Sequence, residues 1–348
     1  LKLLDSKQVQ RLRKIRQLGF ANMVYPSATH TRFEHSLGTF EIAKQFAKSL
    51  HLNQNDQQRL RIAALLHDIG HTAYSHTTES LLNKYKNCDH EEITYEKMKK
   101  TEIKDILQDN GFKPNEIISL LDGEESIGKI ISGEIDADRM DYLQRDGHYT
   151  GVGHGTVDAE TIIRNVYKKN GEIMFHKKCF FSLESLLIAR YLMIPTVYLH
   201  HTTEIAEEML REAVDLSINN DFDVDEFVDM NDWELFTTLK KSDNEQVSKI
   251  AKNIEERKLY KRAISHHAME FGREEYTRLC ERLIQDRENI KSEIREKADL
   301  NKSEIMLHIH KPSTSSEKDT KIIDDQKNIT KLENLSPIIK QIENALMK

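Results

Sequence analysis

Apolar residues recur at helical spacing through most of the chain, and few stretches alternate with the period of two that marks a half-buried strand. Val9, Leu12 and Ile15 put one apolar stripe on a basic segment, predicting a helix over 4–19 that ends at Gly19. Met23 to Pro26 reads as a turn leading into a helix that carries Arg32 and His35, which share a face at a spacing of three. From Asp56 to Leu66, Leu60, Ala63, Ala64 and His67 form one stripe, with Asp56 as N-cap and Gly70 as stop. Lys100 to Ser126 predicts two short helices around Gly111, and Ile130 to Gly147 a charged helix. Thr150 to Asp158 is a glycine-rich turn. Asn170-Gly171 lies between β-prone runs and predicts a hairpin within 166–181. Leu183 to Leu210 is expected to be one long helix bent at Pro195.

Beyond Asn219 the pattern predicts amphipathic helices over 221–241 and 244–268 with Trp233 as an anchor, and a charged helix over 274–300. A short strand at 305–310, a polar loop over 311–320 and an amphipathic helix over 336–347 complete it. No internal repeat is present. The expected fold class is mainly α-helical, with a small β-hairpin and a helical or α+β C-terminal lobe. Residues 1–215 form the expected core and 216–348 a lobe suited to oligomerisation or regulation.

With 348 residues and 40.6 kDa, the chain is long enough to bury a sizeable core. A net charge of -7 argues against a general nucleic-acid coat protein, though it leaves local basic pockets open. Cys88, Cys179 and Cys280 show no metal-ligand spacing, and their odd number fits a reducing compartment. No apolar run of about 18 residues and no signal-peptide pattern stands out, so a cytoplasmic location without a membrane span is the expectation. The chain begins at Leu1 rather than Met, so a short upstream segment is expected to be missing.

Three stretches concentrate the chemistry: His30-Thr-Arg-Phe-Glu-His-Ser-Leu-Gly38, Leu65-Leu-His-Asp-Ile-Gly-His71 and Asp136-Ala-Asp-Arg-Met-Asp-Tyr142. An adjacent His67-Asp68 pair at the end of an apolar helix would bury a bare carboxylate, and buried charges are paired or bound to metal. A hydrogen-bonded core pair is the plain alternative. Imidazole and carboxylate ligands together suit Mn, Fe, Zn or Ni, and carboxylates also admit Mg. His71, His76 and His90 follow closely, and histidine titrates where a proton donor to a phosphate ester must. Asp138 shares a helical face with Asp141 and with Tyr142.

From about Asp5 to Met209 these strings resemble the HD-domain metal-dependent phosphohydrolases. Within them the similarity is to the deoxynucleoside triphosphate triphosphohydrolases of the SAM-and-HD-domain kind and their bacterial relatives. The resemblance implies an HD-domain helical core and one divalent metal ion held by His35, His67, Asp68 and Asp138, with further Mg arriving on the nucleotide. It implies that His71, His76 and His90 contact phosphate and transfer protons, oriented by Glu79 and Glu91. His76 is the first choice as general acid and His90 the second. Gln17, Leu18, Arg32, Arg139, Tyr142, Asp146, Arg190, Tyr198 and His200 fall on substrate positions. Arg32, Arg139 and Arg190 would meet phosphate, and Tyr142, Asp146 and Tyr198 the sugar. Asp5, Gln10 and Arg13 fall on an allosteric site for a guanine nucleotide, GTP or dGTP. Expected partners are thus a dNTP, that activator and further copies of the chain in a dimer or tetramer.

Two other classes remain open at this stage. The same shell would serve another phosphoester, such as a nucleoside monophosphate, a cyclic nucleotide or a guanosine polyphosphate. A non-catalytic nucleotide sensor or single-stranded nucleic-acid binder would instead show salt-sensitive affinity without turnover.

Overall fold

The computed structural model describes residues 2–220, 222–266, 270–300, 305–309 and 320–346. The architecture is mainly helical, with one small four-stranded sheet. The Arg32–Ser49 helix lies at its centre, packed against Gln54–Leu66 on one side and Ala137–Thr150 on the other. A capping box between Thr31 and Glu34 starts this central helix, so its first turn, which carries Arg32 and His35, has a fixed phase.

The N-terminal segment departs from the expected single helix. An α-helix spans Lys7–Arg11, a 3-10 turn spans Leu12–Lys14, and the backbone then becomes extended. The cause is non-local: Arg16 pairs antiparallel with Thr31, the Gln17 amide donates to His30 O at 3.0 Å, and the Arg32 amide to Ile15 O at 2.9 Å. Val9, Leu12 and Ile15 are nonetheless fully buried, as their spacing predicts. The next helix starts at Gln54, capped by the Asn53 side chain on the Asp56 amide, so Asn53 takes the capping role expected of Asp56.

The 183–210 segment is two helices. Phe180–Met193 ends in a wide turn over Ile194–Tyr198 around Pro195, and His201–Ile218 follows, capped by His200. Proline lacks the amide that would continue the ladder. By length and apolar composition the stretch Lys177–Tyr198 would suffice to cross a membrane. Leu183, Leu186, Leu187 and Met193 from it are instead buried in the protein core.

The expected hairpin forms: β1 (Val166–Lys169) pairs with β2 (Glu172–His176) through Asn170 and Gly171, both at positive φ. Two further strands, β3 (Lys321–Ile323) and β4 (Ile329–Lys331), extend this sheet, with β3 parallel to β2. No strand forms over 305–309, and 310–319, covering most of the expected loop, lies outside the described residues. The expected helix over 221–241 is two helices, Val224–Asp229 and Asp232–Lys240. The 244–268 helix is confined to Glu245–Glu255, and the 274–300 helix divides into Arg273–Gln285 and Arg287–Ala298. Trp233 is 68% exposed and does not anchor its helix; Leu235 and Leu239 do, fully buried, and Phe227 anchors the helix before it.

Two hydrophobic clusters organise the interior. The larger gathers Phe46, Leu60, Leu66 and Met140 with Ile322, Leu332 and Ile339 from the far end of the chain. The smaller joins Phe20, Tyr74 and Leu82 to Met209, Phe227, Leu235 and Ile250. Residues on both sides of position 215 therefore supply each cluster.

Ile322 is buried and Ile329 is 44% exposed. Ile322→Ala is expected to cost about 2–5 kcal/mol, and Ile329→Ala within about 0.5 kcal/mol. Urea unfolding checks this, and equal losses at the two positions would remove β3 from the core.

Candidate active site

The central helix delivers His35, the end of Gln54–Leu66 delivers His67, and the first turn of Ala137–Thr150 delivers Asp138. Nε2 of His35, Nε2 of His67 and one Asp138 oxygen lie within 4.8 Å of one another. His35 Nε2 is 2.8 Å from Asp138 Oδ1, and His67 Nε2 is 3.6 Å from it. Asp68 sits at the edge, with oxygens 3.3 Å from His67 Nε2 and 3.8 Å from His35 Nε2.

The other nitrogens of the two rings are already committed. His67 Nδ1 lies 2.8 Å from the Ala64 carbonyl, an acceptor, so it donates there and Nε2 carries the lone pair. His35 Nδ1 meets Asp141 at 2.8 Å, and Arg145 grips the same carboxylate through two bonds of 2.8 Å. The two Nε2 atoms face each other at 3.3 Å beside an anionic oxygen, a donor set that fits a divalent cation. Without a cation the cluster favours protons instead. Burial lowers the His35 pKa, but hydrogen bonds to Asp138 and Asp141 override it and raise the value to about 10. Burial likewise works to raise Asp138, and the hydrogen bonds from His35 and His67 hold it far below the usual carboxylate range.

Arg32 is buried against this site, donating to Asp68 at 2.7 Å and to Ser75 Oγ at 2.5 Å. His71 Nε2 reaches Asp68 at 3.3 Å, and burial followed by the Arg32 charge holds its pKa well below the usual value. The His71 ring stacks on His90 at 4.1 Å and meets His76 edge-on at 5.0 Å. Glu79 accepts from both outer rings, His76 Nδ1 at 2.9 Å and His90 Nδ1. Burial lowers His90, yet its bond to Glu79 prevails and raises it; the same two bonds overcome burial at Glu79 and hold its carboxyl low. Glu91 is exposed on the next helix and hydrogen bonds to neither ring, so Glu79 alone has the orienting role expected of the two glutamates.

Beyond the cation ligands, Tyr142 and Tyr198 meet edge-on at 6.2 Å. Tyr198 donates to Asp146 Oδ2 at 2.9 Å, and His30, fully buried, holds the other oxygen at 2.7 Å. Burial raises both phenols, so they are neutral donors. Gln17 keeps a buried side-chain oxygen with no partner, an acceptor available to a ligand, while Leu18 packs on the larger cluster. Arg139 donates to Glu134 O at 2.6 Å, and the Arg139 and Arg190 charges both act on Tyr142. His200 is committed to helix capping, its Nδ1 accepting from the Thr202 amide at 3.3 Å. At the N-terminus Gln10 donates to Leu4 O at 2.7 Å and Arg13 to Gln10 at 2.8 Å, while Arg13 lies 3.6 Å over the Phe33 ring. Asp5 is exposed nearby.

His30, Ser75 and Asp141 are functional neighbours that motif reading passes over. Asp141 carried a signal, standing one turn from Asp138; His30 and Ser75 carried none beyond proximity to the motifs.

The HD domain profile matches residues 32–146 and the HD associated region profile matches 157–348. An uncharacterized protein of Methanocaldococcus jannaschii is 40% identical over 271 residues, covering 76% of this chain and 56% of its own length. A Dictyostelium discoideum protein named deoxynucleoside triphosphate triphosphohydrolase SAMHD1 homolog is 30% identical over 292 residues, covering 74% of this chain and 55% of its own. The chain spans about half the length of the curated relatives it matches. A crystal structure of a hypothetical protein from Aquifex aeolicus superposes with a TM-score of 0.75 at 28% identity, over 99% of this chain and 94% of that one.

A Cβ on Gly38 would stand 1.7 Å from Asp141 Oδ1. Gly38→Ala is therefore expected to displace the carboxylate behind His35 and weaken Mn2+ binding about 10–100-fold, read by calorimetry; unchanged affinity would count against Asp141 as the orienting partner. The His90 pKa is raised by Glu79, so that pairing is complete below the ordinary histidine value and lost as pH rises through the higher one. Glu79→Gln should move the His90 midpoint downward in an NMR titration, and an unmoved midpoint would show the carboxylate is not its cause.

Proposed function

This chain belongs to the HD-domain family, carrying the HD domain and the HD associated region together, and on that premise we propose that it is a metal-dependent phosphohydrolase acting on deoxynucleoside triphosphates. The products would be a deoxynucleoside and intact tripolyphosphate. The observation that carries this reading is the meeting, at one place, of a cation-ready triad, a buried arginine and a wall of two tyrosines on a doubly held aspartate. The name borne by the Dictyostelium relative supports the substrate class.

His35, His67 and Asp138, with Asp68 beside them, would hold the ion. When bound, a divalent cation supplies a Lewis acid that polarises a phosphoryl oxygen. Arg32, Arg139 and Arg190 neutralise charge that builds on the triphosphate, an effect strongest where water is excluded. Asp146, fixed by His30 and Tyr198, accepts from a sugar hydroxyl. The Tyr142 and Tyr198 rings crowd the sugar edge, which disfavours a 2′-hydroxyl. Gln17 and Leu18 close the base side. Water attacks the α-phosphorus, the bond to the 5′ oxygen breaks, and that oxygen takes a proton. His76 and His90 both engage Glu79 through Nδ1, which leaves both Nε2 atoms for this proton transfer; His71, kept neutral, packs between them and Asp68.

The reading extends to an activator. A guanine nucleotide at Asp5, Gln10 and Arg13 would bear on Phe33, the residue next to Arg32, and so on the helix that carries His35. The 216–348 region would then supply contacts between copies of the chain in a dimer or tetramer. Three free cysteines fit a cytoplasmic setting.

The test is incubation of the Mn2+-loaded protein with each dNTP and NTP, with and without GTP, and separation of the products. Tripolyphosphate released from dNTPs supports the proposal; a monophosphate product, or none, overturns it. Asp138→Ala is expected to lower turnover by at least about 1000-fold, and retained activity would remove Asp138 from the cation shell.

A further inference from the structure

Just before His76 the backbone enters a conformation that L side chains rarely adopt. Tyr74 has φ +57°, and Ser75 has φ +49° with ψ -120°. Such residues persist where the surroundings over-determine them. Besides the turn's own backbone bonds, three contacts from other segments help to hold it. The Tyr74 ring stacks on Phe20 at 4.6 Å, Ser75 Oγ accepts from Arg32 at 2.5 Å, and the Tyr74 amide donates to Asp232 Oδ1 at 2.7 Å.

The third contact comes from the first residue of the Asp232–Lys240 helix, far outside the segment 32–146. The other Asp232 oxygen accepts the Arg16 amide at 2.9 Å, and Arg16 pairs with Thr31, one residue before Arg32. A single carboxylate, 5% exposed, thus ties the turn that presents His76 to the bridged segment that leads into Gln17 and Leu18. Bonds in the reverse direction fix the carboxylate's own position. Arg11 donates to the carbonyls of Val228, Asp229 and Met230 at 3.1, 2.9 and 2.8 Å, clamping the chain that leads to Asp232. The Asn231 side chain caps the following helix through the Trp233 and Glu234 amides, leaving the Asp232 carboxylate free to face the turn.

We propose that Asp232 is a positioning residue: it holds the His71–His76 turn and the Arg16–Leu18 segment in register, so that the HD associated region completes the active site from behind. The effect on turnover rests on the hydrolase reading above; the effect on the turn does not.

The experiment compares the wild type with Asp232→Asn, which keeps one acceptor at similar volume, and Asp232→Ser, which keeps a shorter one. Hydrogen exchange of the Tyr74 amide, Mn2+ content, kcat and KM are measured on the full chain. The Tyr74 amide should exchange about 10–100-fold faster in both variants, while the amides of Arg32–Ser49 keep their protection and Mn2+ content is unchanged. With a dNTP as substrate, kcat should fall about 10–100-fold and KM change less than about threefold. Unchanged Tyr74 exchange in both variants overturns the proposal. So does a uniform loss of protection together with bound Mn2+, which would mark Asp232 as a general stability residue. A wild type that turns over no dNTP fails the hydrolase reading, and the exchange result still decides the role of Asp232 in holding the turn.

Discussion

The centre of this protein is governed by the difficulty of burying charge. His35, Asp68, His71, Asp141 and Asp146 are all buried, and each ionisable atom must find a partner there. An unpaired ion in such a place costs several kcal/mol. The chain supplies partners in two strings. One runs Arg145–Asp141–His35 and the other runs Arg32–Asp68–His71. Between them the Nε2 atoms of His35 and His67 meet the Asp138 oxygen, and this is the place where acceptors outnumber donors. A divalent cation would satisfy these acceptors, as protons do without one. The two strings also fix which atoms it would meet, because each ring is held through its other nitrogen.

Close packing turns this electrostatic demand into geometry. Gly38 leaves room for Asp141, and Gly70 leaves room for the His90 backbone, whose carbonyl oxygen a Cβ would approach to 2.0 Å. Both glycines lie inside the motifs that carry ligands, and both let a neighbouring helix approach closer than an alanine would permit. The helix of His90 can therefore lie against the turn after His67, with the His71 and His90 rings stacked. That stacking gives the imidazoles different surroundings. His71 is pinned beside the Arg32 charge, which together with burial holds its pKa low, whereas His90, one ring further out, shares Glu79 with His76, and that bond raises its pKa.

Much of this site was legible because the resemblance to the HD-domain phosphohydrolases pointed to His35, His67, Asp68 and Asp138, which the structure brings together. Val9, Leu12, Ile15, Leu60 and Ala63 are buried as their spacing requires. What escaped sequence reasoning was set by contacts between distant segments. The helix expected over 4–19 ends early because residues 30–32 take its backbone groups. Strands β3 and β4 were missed because three-residue strands carry almost no periodicity, and β3 is defined by pairing with a strand about 150 positions earlier. Trp233 read as an anchor because a lone tryptophan is usually buried. Its exposure follows from the capping by Asn231, which fixes the helix phase so that Leu235 and Leu239 face inward. Glu91 was assigned to the histidines by the resemblance, whereas both Nδ1 atoms are engaged by Glu79.

The turn at Tyr74 and Ser75 shows why the motif segment does not account for the site by itself. Two non-glycine residues at positive φ cost about 1–3 kcal/mol each. The stack of Tyr74 on Phe20 returns about 0.5–1.5 kcal/mol beyond its burial, and the Arg32 bond to Ser75 about 1.5–3 kcal/mol. The turn's own bonds, Ser75 N to Thr72 O at 2.9 Å and Thr78 Oγ1 to Ala73 O at 2.7 Å, add to these holds. The buried bond from the Tyr74 amide to Asp232 adds a contribution of the same size as the Arg32 bond and reaches the turn from the HD associated region. Since this last hold comes from residue 232, the His71–His76 turn and the HD associated region are packed as one unit, as the two shared hydrophobic clusters also require.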